Sequence, residues 1–305
     1  MDSHKTLFNA SFEESKKISP NLFSKNRPFY YDLGFSDSDK IAKRLFTIIP
    51  WIMLGTMMYG YGAYLPCAIA KSSFETADYH FMTESIYIGI GYFSFVKFIL
   101  IFVFVVVTAI VLANIFPKIN YMIQRMFGII GLLLLLLVGF FSIMPMLLGI
   151  TLGATGWLGF SIICVYGIAF LVNAIHIRIE KIKQEMYGKD YALKSSYISN
   201  IWARLKKIWL LAFALIIINI FILRIGMWGV RNLWSLPWLF AGPIYFGLVT
   251  VFTCGPLKMF VTSFYFAKYA QDYRALWQVS DEQWYGKRKA KRIVKKKIKL
   301  ENKGK

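Results

Sequence analysis

Residues 126–177 contain no Asp, Glu, Lys or Arg, and this uncharged run limits the fold more than any other feature of the chain. A helix needs about 20 apolar residues to cross roughly 30 Å of hydrocarbon, so the run is long enough for two crossings. Gly149, Gly153 and Gly156 fall where a tight turn between them belongs. The pattern therefore predicts helices near residues 127–147 and 154–177, joined at that glycine cluster. Composition agrees with lipid as the main solvent. Hydrophobic residues make up 57% of the chain and charged residues 17%, whereas a soluble domain is about 25% charged.

The remaining apolar runs extend the count. Residues 46–66 supply a first span. The run 85–117 is interrupted only by Lys97, and its span is expected at residues 94–116, with 86–93 lying along the outer interface. Residues 208–230, with Arg224 near the far end, give a fifth. Residues 236–257, with Pro237, Pro243 and Pro256, give a sixth. Prolines are tolerated in such helices although they bend them and free carbonyls. The expectation is an all-α, polytopic transmembrane bundle of about six spans. Its parts are a cytoplasmic segment 1–44 with an interfacial lead-in helix, a membrane domain 45–267 with a cytoplasmic loop 178–207, and a basic tail 268–305.

Orientation follows from where the cations lie. Residues 1–44 carry eight Lys or Arg, 178–207 carry eight and 268–305 carry thirteen. The loop 67–85 carries one, Lys71, against Glu75, Asp78 and Glu84. Rich and poor segments alternate, which places both termini in the cytoplasm. The first apolar run is then expected to serve as the insertion signal, because a polar, mixed-charge segment precedes it.

The net charge of +20 is concentrated at the C-terminus. Lys287, Arg288, Lys289, Lys291, Arg292, Lys295, Lys296 and Lys297 follow the aromatics Tyr265, Phe266, Tyr269, Tyr273, Trp277, Trp284 and Tyr285. Aromatics followed by a polybasic run suit an anionic cytoplasmic leaflet. No RNA-binding module surrounds the charge, so no specific nucleic-acid partner is expected. At the other end, residues 36–39 read as a helix cap before the first span.

Chemistry inside the membrane is sparse. All sixteen acidic residues fall outside the expected span cores, which weighs against carriers and proteases that need an intramembrane carboxylate. Cys67, Cys164 and Cys254 form no CxxC pair, and the histidines are His4, His80 and His176. No catalytic residue, cofactor site or metal site is nominated. Asp78 and His80 with Glu75 and Glu84 have ligand chemistry but nothing fixes their geometry. Lys97 and Arg224 are the charges nearest the outer edge, and they are the candidates for lining a shared outward cavity. Gly149, Gly153 and Gly156 have the spacing of close helix packing. Such a chain reads as a permease-like subunit of a transport or export system that relies on a separate ATPase. The alternatives are a non-transporting immunity, assembly or scaffold factor, and a lipid-modifying enzyme for which no catalytic group stands out. The Lys, Ile and Phe content fits an AT-rich, bacterial source and a plasma-membrane location.

Overall fold

A computed structural model describes residues 5–23, 48–71, 84–115, 121–188, 197–227, 233 and 236–301. Among these residues all regular structure is helical. A short helix α1 (Phe12–Lys16) is followed by α2 (Ile48–Tyr59), a π turn at Gly60–Tyr64 and α3 (Leu65–Lys71). Next come α4 (Glu84–Tyr92), α5 (Val96–Ile115), the long α6 (Tyr121–Tyr187), α7 (Tyr197–Lys207) and α8 (Trp209–Ile218). The last group is α9 (Ala241–Lys268), α10 (Ala270–Leu276), α11 (Asp281–Tyr285) and α12 (Lys287–Glu301). The cap expected at 36–39 and the acidic loop with Asp78 and His80 lie outside the described residues.

Three helical segments are long and apolar enough to cross a membrane: Val96–Ala113, Tyr121–Tyr187 and Pro237–Lys268. A fourth is reached if α7 and α8, bent by 53° at Ile208, count as one. The expected first span, helical without interruption from Ile48 to Lys71, is not among them. Pro66 has no N–H and its ring crowds the carbonyl four residues back. The chain responds with the π turn before it, where the Leu65 N–H reaches five residues back to the Gly60 carbonyl.

Helix α6 covers 67 residues but is two arms, because Gly156 has φ 67° and ψ 177°. A straight helix of that length would separate its ends by about 100 Å. Instead both ends meet the N-terminal segment: the Tyr121 ring lies 5.1 Å from Phe23, and Tyr187 Oη donates to the Thr6 carbonyl at 2.7 Å. Met122 and Ile129 of the first arm share a core with Ile182 and Met186 of the second. The chain therefore reverses at the expected glycine cluster. Helix α9 runs along this hairpin and α5 flanks it, with Val107, Leu148, Ile163 and Phe246 in one core.

Helix α4 covers most of the stretch 86–93, expected along the outer interface, and packs one face of it on α6. Ile86 and Ile90 are fully buried, because α4 lies backbone to backbone on the first arm of α6. A Cβ added to Gly153 would come within 2.4 Å of Ile86 Cα, and one added to Gly149 within 2.6 Å of Ile90 Cα. Only glycine permits this approach. The periodicity of the run marks an apolar segment but not which neighbour covers it.

Candidate functional site

At the hairpin end, the reversal at Gly156 takes the Thr155 carbonyl out of the helical ladder. Asn219, fully buried, replaces the missing donor: its Nδ2 donates to Thr155 O at 2.7 Å. Its Oδ1 accepts from the Ile225 N–H at 3.0 Å. Asn219 opens the π turn Asn219–Leu223 that ends α8, and Arg224 stops that turn in a left-handed conformation at φ 54°. Gly226 then seats against Trp157. One amide thus ties the α6 turn to the end of α8.

Lys97 stands at this same end, since its neighbour Val96 shares a core with Leu148 and Leu152 and Phe93 contacts Phe160. Its Nζ lies 4.9 Å over the Phe98 ring. Arg224 sits one residue before Ile225, at the Gly156 turn. Both candidate cations therefore lie at the hairpin end, but neither lines any of the four best-formed cavities among the described residues. Of the candidate glycines, Gly149 and Gly153 form the α4 contact. Gly156 serves the turn.

An apolar cavity lies elsewhere, between the second arm of α6, the α7–α8 elbow and α9. It measures about 390 Å³ and is bordered by Tyr166, Phe170, Trp202, Trp209, Phe213 and Phe246, with Gly167 beneath Phe246. Tyr166 Oη donates to the Leu205 carbonyl at 3.0 Å, which fixes the elbow against α6. A second cavity shares Tyr166, Trp202 and Trp209 with the first and adds Lys206 and Lys207. The cleft is apolar within and cationic at one mouth. Sequence reasoning missed it, although the change from the mixed segment 197–207 to the apolar run from Trp209 was a visible signal for an elbow.

At the opposite end the N-terminal segment is held by tyrosines. Tyr265 Oη donates to Leu7 O at 2.8 Å and accepts from Ala10 N–H at 3.0 Å. Tyr273 Oη bonds Ser15 Oγ at 2.7 Å and Ser19 Oγ at 3.0 Å. Tyr269 Oη donates to Ala10 O at 2.9 Å. Tyr265, Phe266, Tyr273 and Trp284 are essentially inaccessible, which corrects their reading as leaflet-facing aromatics. They form a core because the N-terminal segment covers them. Burial pushes the Tyr273 hydroxyl above its ordinary value, against the opposing effect of its hydrogen bonds with Ser15 and Ser19. Hydrogen bonding from the Ser11 backbone holds the Glu14 carboxyl below its ordinary value.

Helix α12 carries the polybasic run. Arg288, Lys289, Lys291, Arg292, Lys295 and Lys296 are exposed, and Lys289 lies 4.9 Å over the Tyr285 ring. Ala290 is buried against α11, but Val294 and Ile298 on the same stripe are exposed. The side chains of Lys287 and Lys297 lie outside the described residues. A basic helix with an open apolar stripe suits an anionic membrane surface.

Polar groups are also buried in the α6 arms. Glu180 is 7% exposed and pairs with Lys183 at 2.8 Å, just past the uncharged run. Arg125 is 2% exposed at the start of the first arm. Among the described residues no group of three or more His, Cys, Asp or Glu is placed to hold a metal. Comparison with protein-family profiles, curated proteins and solved structures finds no match to this chain.

Proposed function

We propose that this chain is a multi-pass plasma-membrane protein, bacterial in origin, with both termini in the cytoplasm. In this reading it is the permease-like subunit of a transport or export system and draws its energy from a separate ATPase. Six crossings follow if α2 with α3, α5, the two arms of α6, α7 with α8, and α9 each count once. The observation that carries the reading is the folded base. The arms of α6 continue past the apolar run into charged sequence. There they close with residues 5–23 and helices α10 and α11 into a compact, lysine-rich end. A folded end of this kind offers a rigid docking face for a soluble energy-coupling partner, and α12 holds it to anionic lipid.

The second reading is a non-transporting immunity, assembly or scaffold factor. Its support is the sealed interior: α4 meets α6 at backbone contact, and among the described residues the cavities at the helical bundle are lined mainly by apolar side chains. Purification from native membranes separates the two. A stoichiometric ATPase that remains through a size-exclusion step favours the permease, and its absence, with function retained, favours the scaffold. Orientation is tested separately in intact cells. Tags on either terminus should be protected, and one inserted after Ser73 should be accessible.

A further inference from the structure

We infer that the aromatic cleft at the α7–α8 elbow is a binding site for one acidic phospholipid, with an acyl chain in the cleft and the phosphate at Arg204, Lys206 and Lys207. Depth is the first ground. Leu205 is bonded to Tyr166, and Tyr166 stands midway along the charge-free part of the second α6 arm, residues 157–177. At 1.5 Å per residue it is about 15 Å from either end of that part. The elbow therefore brings Arg204, Lys206 and Lys207 to the level of the middle of an apolar arm. All three side chains are exposed, and none joins an ion pair among the described residues. A cation held at such depth needs a counter-charge or water.

The second ground is shape. The cavity lies in the range of ligand sites, and its walls are aromatic and aliphatic. Its rim residues Phe170, Trp209 and Phe213 are exposed, so a chain can enter sideways from lipid. The neighbouring cavity runs from the shared Trp202 and Trp209 to Lys206 and Lys207. Apolar cleft and cationic mouth are thus continuous, the arrangement an anionic amphiphile requires. A zwitterionic lipid would leave the cations without net compensation, and a free phosphate would leave the cleft empty. Gly167 sets the floor, because a Cβ there would come within 2.1 Å of the Phe246 ring.

The full chain is reconstituted in nanodiscs of mixed phosphatidylglycerol and phosphatidylcholine, then released into detergent, and retained lipid is counted by native mass spectrometry. The expected result is one phosphatidylglycerol per chain, enriched over its share of the mixture. R204Q/K206Q/K207Q should lower that enrichment roughly tenfold or more. A212W, which fills the cleft from α8, should abolish retention. A212L serves the same purpose if the larger residue disturbs folding. K181Q, on the exposed surface of α6 beyond the apolar run, should leave the retained lipid unchanged. No retained acidic lipid in the parent, equal retention in the triple variant, or a protein subunit seated at the elbow instead would overturn the assignment.

Discussion

Replacing Gly156 by alanine tests the hairpin at its weakest joint. The backbone there, at φ 67° and ψ 177°, occupies a region essentially confined to glycine, and a side chain costs about 1–3 kcal/mol from conformation alone. The new Cβ would also lie 2.4 Å from the Ile225 carbonyl oxygen and 2.7 Å from Met227 Cγ. The first of these is backbone, so no rotamer change relieves it. Moving residues 225–227 away stretches the bond from Ile225 N–H to Asn219 and exposes a buried amide to loss of its partner, a further 1–3 kcal/mol or so. The sum is about 2–6 kcal/mol. Unfolding by SDS titration, followed by far-ultraviolet circular dichroism in mixed micelles, measures it directly. Gly247→Ala is the control: it lies within α9 and the added carbon meets nothing within 4 Å beyond its own helical backbone, so it should stay within about 1 kcal/mol of the parent. Equal stability of the two variants would refute the assignment of Gly156 as the point of reversal.

Gly153→Ala should push α4 off the first arm at a cost of about 1–3 kcal/mol, read as faster hydrogen exchange confined to residues 84–92. Tyr273→Phe should loosen the N-terminal segment by about 1–2 kcal/mol, seen as earlier protease cleavage within residues 5–23. The native Tyr273 hydroxyl titrates above its ordinary value. Its contribution should therefore be complete below about pH 10 and fade as pH rises toward the raised value, and Tyr273→Phe should flatten that alkaline loss. Glu14 has the opposite sign, because its folded value is depressed. What it contributes is present above about pH 4.3 and is lost as pH falls through the lowered value. Lys258→Met removes the 2.5 Å pair with Glu185, but both side chains are partly exposed, and the change in unfolding free energy should stay under about 1 kcal/mol.

The parts legible in the sequence are those that lipid dictates locally. A run without charge can be read as a long apolar helix from its own residues, and a glycine cluster within it marks where two helical arms part. The same logic fails where a neighbour decides the outcome. Residues 86–93 read as an apolar segment, and only the bare backbones of Gly149 and Gly153 show that Ile86 and Ile90 are buried. Asn219 reads as one polar residue in an apolar run, and its role depends on Thr155, distant in the chain. The aromatics from Tyr265 to Trp284 look like a membrane girdle until residues 5–23 cover them. Lys97 and Arg224 were legible as charges near one end. The elbow cations were counted toward orientation, where their number mattered and their depth did not.

The tyrosine clasp also constrains how the protein is made. Leu7, Ala10 and Ser15 bond to partners 255 to 258 positions later in the chain. At ordinary elongation rates that interval is roughly 15–50 s. Throughout it, Phe8 and Phe12 have no final place to go, while the apolar helices are still being made. Closure of the base therefore waits until translation has passed Tyr273. A chain truncated before Tyr265 presents an open, aromatic-rich end that membrane quality control can recognise.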